Sequence, residues 1–332
     1  MSKPTMRDIG REIGVSAVTV SKALAGKAGM SDELRESILK KAEEMGYRYP
    51  ERERGRPKEL DIGILVPERY FEEESFYAGL YKRLVKRLTE RGHFGLLEIL
   101  NREAEDALEA PGLVRSRRIS GLILLGQPLT KAYCRMLAQI GVPLLFLDFY
   151  DEQASADAVV GDNAYGCYRL TSHLIHLGHT RIGFVGSRLA TSSIMDRYLG
   201  YCRAMLSHNL PMREDWVLPD RDSTGRVLDE ITLPADMPTA FVCNCDLVAE
   251  MVVSTLRAGG LRIPEDISVT GFDDYVGASR GEPWLSTFRV DLDAMVSLAV
   301  KTLEDRCAGL EKPFGRTVIG GQPIYRKSEK PI

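Results

Sequence analysis

The chain has 332 residues, 44% of them hydrophobic and 27% charged; at roughly 100–200 residues per domain this predicts about two domains, each with apolar material for a packed core. Its 44 Lys and Arg against 47 Asp and Glu leave a net charge of −3, which excludes a chain coated in positive charge throughout and an acidic disordered tail. The longest apolar runs, 122–125 and Leu144–Leu147, are far shorter than the ~20 residues that cross a bilayer, and residues 1–6 lead into charge without an apolar leader, so a cytoplasmic protein with no membrane partner is expected.

Splitting the charge is more informative. Residues 1–58 carry 13 Lys and Arg against 9 Asp and Glu, a net of +4, which leaves −7 on the remainder. A small basic module ahead of a larger acidic one is the asymmetry expected when only the first part meets a polyanion.

Within that module, Met6, Ile9 and Ile13 fall at helical spacing. Gly14 suits the positive φ that ends a helix, and Ser16 suits the N-cap of a second helix over Ala17–Leu24. Gly10 supplies the small residue that two helices crossing near a right angle require, with Ile9, Val15, Val20 and Ala23 as contacts. Ser31 then opens a third helix with Asp32 and Glu33 in its first turn. Leu34, Ile38, Ala42 and Met45 share one face, Lys40 and Lys41 come late, and Gly46 is the stop. This is the residue logic of a helix-turn-helix, although a generic three-helix bundle fits the periodicity too.

Residues 49–58 contain two prolines and a glycine, which oppose a stable helix. Arg54-Gly55-Arg56-Pro57 resembles the core of an AT-hook, in which two arginines flank a glycine that lets the backbone sink into a narrow minor groove. A solvated linker of mixed charge is the competing reading.

From Asp61 onward short apolar strands alternate with helices. Strands are expected at 62–66, 121–125, 144–147, 182–185, 240–242 and 267–270. Helices are expected at 75–91, 129–140, 165–177, 194–208 and 247–258. Such an alternation predicts parallel sheets flanked by helices. Two sheets are expected for a segment this long, one over about 61–160 with a returning segment at 290–320, the other over about 161–289. Ligands of open α/β sheets lie beyond the carboxyl ends of strands, where Asp148, Asp273 and the loop before Arg197 fall.

Other signals are weaker. His173, His176 and His179 at i, i+3 and i+6 lack an accompanying carboxylate cluster, and Cys243-x-Cys245 lacks a second ligand pair, so no metal and no cofactor are expected. The six cysteines (Cys134, Cys167, Cys202, Cys243, Cys245, Cys307) show no disulfide framework, and no phosphate-loop, nucleophile-elbow or zinc-protease motif is present. An enzyme is not expected.

The run Thr5-Met6-Arg7-Asp8-Ile9-Gly10-Arg11-Glu12-Ile13-Gly14-Val15-Ser16-Ala17-Val18-Thr19-Val20-Ser21-Lys22-Ala23-Leu24, with 31–48 after it, resembles the DNA-binding head of the LacI/GalR family of bacterial transcription regulators. Later runs are similar to that family's regulatory domain, itself similar to type I periplasmic binding proteins. They include Val142-Pro143-Leu144-Leu145-Phe146-Leu147-Asp148, Asp196-Arg197-Tyr198-Leu199-Gly200-Tyr201, Ile263-Pro264-Glu265-Asp266-Ile267-Ser268-Val269 and Gly271-Phe272-Asp273-Asp274. The implied fold is multidomain: an all-α helix-turn-helix head (1–48), a linker (49–60) and an α/β effector-binding and dimerisation domain of two subdomains with parallel sheets (61–332).

The resemblance implies that the second helix enters the major groove. Ala17, Val18 and Lys22 then face base edges, with Lys22 able to donate to guanine and the two apolar residues suited to a thymine methyl, while Ser16, Thr19 and Ser21 hold phosphates. Family members usually follow the head with a hinge helix that inserts a leucine into the minor groove. This linker has no leucine before Leu60, and Arg54 and Arg56 are expected to anchor there instead. The positions that contact effector align with Asp148, Phe149, Arg197, Cys245 and Asp273, with Tyr70, Phe71 and Phe76 aligned less closely. Cys245 replaces a usual asparagine and Phe149 stands where sugar binders often carry a polar residue, which widens the expected effector from a sugar to a less polar, sugar-like metabolite.

The resulting expectation is a homodimeric regulator, a repressor by the family's commoner mode, with double-stranded pseudo-palindromic DNA and a small-molecule effector as partners. An architectural DNA binder with a vestigial pocket is the alternative. A solute-binding protein for transport is a further one, opposed by residues 1–48.

Overall fold

A computed structural model describes residues 4–24, 30–45, 47, 59–70, 76–275 and 283–332. They form two compact units, one within Met1–Glu59 and the other within Leu60–Ile332. The expectations for Gly46, Arg54, Arg56 and Phe71 lie outside the described residues.

Among the described residues the first unit has three helices, α1 (Met6–Ile13), α2 (Ala17–Leu24) and α3 (Asp32–Glu44). Thr5 and Asp8 form a capping box on α1, and Gly14 ends it with φ 77. Ser16 Oγ accepts from the Thr19 N–H at 3.1 Å and starts α2. Gly10 is buried where the helices meet, and a Cβ there would lie 2.5 Å from the Val15 carbonyl oxygen. Ile9, Val20, Ala23, Leu24, Ile38 and Ala42 make the core.

The second unit begins with β1 (Asp61–Pro67), α4 (Phe76–Glu90), β2 (Phe94–Leu100), α5 (Arg102–Asp106), α6 (Gly112–Arg115) and β3 (Gly121–Leu125). It continues through α7 (Lys131–Gln139), β4 (Leu144–Leu147), β5 (Asp157–Gly161), α8 (Asn163–His176), β6 (Ile182–Val185) and α9 (Ser192–Ser207). After β7 (Val217–Leu218) come β8 (Ala240–Cys243), α10 (Asp246–Ala258), β9 (Ser268–Thr270) and β10 (Thr287–Val290). The chain closes with α11 (Leu292–Cys307), β11 (Arg316–Ile319) and β12 (Gly321–Ile324).

One sheet runs β11-β5-β4-β3-β1-β2 and another β7-β6-β8-β9, and every pairing within them is parallel. Beyond β5 the chain leaves the first sheet for α8. It returns through α11, which packs on β3, β4 and β5, and β12 pairs antiparallel with β10. Strands absent from the sequence expectations are β2, β5, β7 and β10 to β12. β2 is an edge strand whose Phe94 and Ile99 remain exposed and whose Glu98 accepts from the Gly112 and Leu113 N–H groups at 2.7 and 2.8 Å, so its side chains lack the apolar pattern of a buried strand.

Candidate functional site

In the first unit the solvent side of α2 carries one patch. Val18 is 66% exposed, Lys22 and Ser16 are exposed, and Ala17, Thr19 and Ser21 are half-buried beside them. Val20, Ala23 and Leu24 point into the core, so the helix keeps its apolar side for folding and presents a short mixed face outward. Thr19 Oγ1 lies 2.9 Å from Ser16 Oγ. One of these hydroxyls donates to the other while Ser16 Oγ also caps the helix, which leaves a single hydroxyl proton of the pair free to donate outward.

In the second unit a cavity of about 600 Å³ opens at the carboxyl ends of strands from both sheets, within the usual range of small-ligand sites. Asp148 follows β4 and Asp273 follows β9, both with left-handed backbone at φ 72 and φ 102. Arg197, on the first turns of α9, crosses between. Its Nε donates to Asn163 Oδ1 at 2.8 Å, its Nη1 to the Asn244 carbonyl at 2.5 Å and its Nη2 to Asp273 Oδ1 at 3.0 Å. The guanidinium also stacks 4.0 Å from the Phe272 ring centroid.

All three charged groups are buried, and their electrostatics differ. Burial pushes Asp148 up to about 7; Arg197 pulls the other way, and Asp273 adds to the rise. Burial also raises Asp273, against the pull of Arg197. Tyr77 donates to Asp148 Oδ2 at 2.9 Å, and its own phenol is raised by burial and by that carboxylate. A carboxyl poised near neutrality both accepts from and donates to ligand hydroxyls. Tyr70 and Tyr77 lie tilted against each other with ring centroids 4.3 Å apart and Phe76 meets Tyr77 edge-on, giving an aromatic wall beside the polar floor.

Tyr70, Phe76, Asp148, Arg197, Cys245 and Asp273 all line this cavity. Phe149 does not, which corrects the sequence expectation. The turn at Asp148 sends its ring back under the sheet, where it is 1% exposed, stacks on Phe146 at 4.7 Å and packs with Tyr133 of α7. Cys245 holds its thiol protonated, pushed up by burial to about 12. The neighbouring Asn244 turns inward, its amide donating to Asp220 Oδ2 and the Val185 carbonyl. Sequence reading missed Tyr77, Ser193 and Arg221, all of which line the cavity. Tyr77 was one residue from Phe76, but Arg221 lies in an irregular stretch without periodicity.

The three histidines are engaged elsewhere. His173 stacks on Tyr325 at 3.8 Å, His176 Nδ1 lies 2.6 Å from the Ser172 carbonyl, and buried His179 contacts Thr239 and Ser268. No described helix is long and apolar enough to cross a membrane.

The family of bacterial regulatory proteins typified by lacI matches residues 5–49, and the periplasmic binding protein-like domain matches residues 171–329. The chain thus carries a LacI-family helix-turn-helix head followed by a periplasmic binding protein-like domain. Its LacI-type head and binding-protein-like domain have relatives along nearly the whole length. The HTH-type transcriptional repressor PurR of Vibrio campbellii is 28% identical over 336 residues, 99% of each chain. The ribose operon repressor of Haemophilus influenzae is 27% identical over 98% of each. Among solved structures, a complex of the transcriptional regulator CelR with cellobiose matches with a TM-score of 0.68 at 25% identity, over 98% of this chain and 99% of that one. The lac repressor dimer bound to operator and anti-inducer matches in fold, with a TM-score of 0.67 at 21% identity over 99% and 100%.

Proposed function

We propose that this chain is a dimeric, sequence-specific DNA-binding repressor whose hold on a pseudo-palindromic operator is set by a sugar or sugar-like molecule bound in the cavity. It acts by binding rather than catalysis, in the cytoplasm where its operator lies. The head spans 1–48 and the linker 49–60. The effector domain spans 61–332, its subdomains at about 61–160 with 290–320 and at about 161–289.

On the DNA side, Ala17, Val18 and Lys22 read base edges, Ser16, Thr19 and Ser21 hold phosphates, and Arg54 and Arg56 reach the minor groove. On the effector side Tyr70, Phe71, Phe76, Asp148, Arg197, Cys245 and Asp273 contact ligand. The observation that carries this reading is the buried Arg197–Asp273 pair facing Asp148 across an open cavity, in a chain with a LacI-type head. Buried charges held by several hydrogen bonds around open space suit a hydroxyl-rich ligand. Two relatives in structure carry cellobiose and, in a LacI-family regulator from Enterococcus faecium 25% identical to this chain, ribose.

Effector and operator are then linked by one reciprocal coupling energy, typically ~1–3 kcal/mol. The test is to select an operator from random duplex DNA and measure its anisotropy titration with and without each compound that raises the unfolding midpoint. A five- to 150-fold change in operator affinity, about the range such coupling gives, is expected. Operator binding indifferent to every stabilising compound overturns the effector reading and favours an architectural DNA binder.

A further inference from the structure

Among the described residues five arginines line the cavity: Arg69, Arg102, Arg197, Arg221 and Arg226. Four of them are occupied or lie in solvent. Arg197 spends all three nitrogens on Asn163, Asn244 and Asp273. Arg69 pairs with Glu105 at 3.6 Å, donates to the Gln127 carbonyl and lies over the Tyr70 ring, and Arg102 holds Asp106 at 2.8 Å. Arg226 is solvent-exposed beside Asp229.

Arg221 is different. Its side chain is 14% exposed, and only Nη1 is engaged, on Asp220. Asp220 is fully buried and already accepts from the Ser187 N–H at 2.7 Å and the Asn244 amide at 2.8 Å, so it is a fixed part of the wall. Nε and Nη2 of Arg221 have no hydrogen-bond partner among the described residues. The Arg221 N–H is itself tied to Ser187 Oγ at 3.0 Å, which fixes where the side chain starts. Its charge reaches Asp273 and Cys245 across the cavity. A guanidinium out of bulk water with most of its fork unmatched is costly until a planar acceptor fills it.

We infer that Arg221 anchors a carboxylate on the effector, so that the ligand is a sugar acid, a uronate or aldonate, rather than a neutral sugar. This rests on the reading of the cavity as an effector site. The carboxylate takes the open side of the Arg221 fork, the hydroxyls meet Asp148 and the Arg197–Asp273 pair, and the aromatic wall covers the C–H face. A single negative charge suits the site better than a phosphate dianion, because Asp148, Asp273, Glu68 and Glu105 line the same space.

The test titrates the full chain, by calorimetry at pH 7, with matched pairs: galacturonate and galactose, glucuronate and glucose, gluconate and sorbitol, with glucose 6-phosphate as the dianion. One acid is expected to bind about 100-fold more tightly than its neutral partner, the scale of a charge-assisted bidentate contact. Arg221→Gln removes most of that preference and leaves the neutral partner within about threefold, while Arg221→Lys falls between. Because Arg221→Gln strands buried Asp220, the double variant Asp220→Asn/Arg221→Gln is measured beside it and is expected to give the same loss. A neutral sugar or the phosphate binding where no acid does, or unchanged acid affinity in both variants, overturns the anchor and leaves the effector reading intact. Absence of binding by all compounds overturns the anchor, and if no compound of any class raises the unfolding midpoint the effector reading falls with it.

Discussion

Asp148 and Asp273 approach one cavity from the carboxyl ends of strands in two different sheets, both in left-handed backbone, and only Asp273 hydrogen-bonds to Arg197. That asymmetry gives the two carboxyls different work. Asp273 is a fixed counter-ion for Arg197. Asp148, with Tyr77 as its hydrogen-bond donor, is pushed by burial to about 7 and changes charge within the physiological range.

A stability profile follows. A carboxyl whose pKa is higher folded than unfolded makes the folded state the better proton binder, so stability is greatest below the unfolded value and declines as pH rises to the folded one. Asp148 at about 7 and buried Asp246, pushed by burial to about 8, both act in this direction. The chain's two tryptophans, Trp216 and Trp284, both lie in the second unit, so their fluorescence follows that unit. The ligand-free unfolding free energy is expected to fall between pH 5.5 and 8.5 by an amount on the order of a few kcal/mol. Asp148→Asn flattens part of the slope. An equally steep profile in that variant would show that Asp148 does not carry it.

Gly10 gives a prediction confined to the head. A methyl there meets the Val15 carbonyl oxygen at 2.5 Å, a contact with backbone that no rotamer relieves. Gly10→Ala is expected to destabilise the head by about 1–3 kcal/mol and to abolish operator binding. The tryptophan unfolding midpoint stays unchanged, because both reporters lie in the other unit. Operator affinity within threefold of the parent would contradict this.

The proposed division of α2 into base-reading and phosphate-holding residues gives a further prediction. Lys22→Ala is expected to cost about 1–3 kcal/mol and to relax preference at one base pair if Lys22 meets a guanine edge. Ser21→Ala should weaken all operators alike. A Lys22 variant that instead loses affinity equally for every sequence, with the salt slope smaller by about one, would assign Lys22 to a phosphate.

The fold was legible where periodicity was strong. α1, α2, β3, β4 and β6 carry unbroken helical or apolar patterns, and so does the alternation that predicted parallel sheets. What escaped was tertiary. β10 and β12 form a two-stranded ladder whose pairing, Phe288 opposite Pro323, brings together segments separated by α11 and β11. Asp148, Arg197 and Asp273 were accessible through resemblance, because each sits beside a recognisable strand or helix. Phe149 was misassigned for a backbone reason, since left-handed Asp148 turns the next side chain away from the cavity. Arg221 was missed because the stretch between β7 and β8 has no repeat to mark it, and its value shows only when Asp220, Ser187 and Asn244 are seen around it.

The start of α9 yields the last prediction, because it joins the two sheets' territories through small polar contacts. Gln127, after β3, accepts from the Ser192 N–H at 2.8 Å, Ser193 Oγ donates to the Asp148 carbonyl at 2.6 Å, and the Tyr150 N–H donates to Ser192 Oγ at 3.1 Å. These bonds tie the start of α9 to the turns that follow β3 and β4. Each is worth about 0.5–1.5 kcal/mol. Ser193→Ala removes one and leaves its Asp148 partner free to accept from water or ligand. The variant is expected to open more often, seen as faster amide exchange in 191–197 and 126–128, with effector affinity down about three- to tenfold for lack of the closed form. Its unfolding free energy should change by about 1 kcal/mol or less, since the change acts between walls rather than within a core. Unchanged exchange in both segments, with unchanged affinity, would mean that the walls are held by packing alone and that Ser193 is not part of the closure.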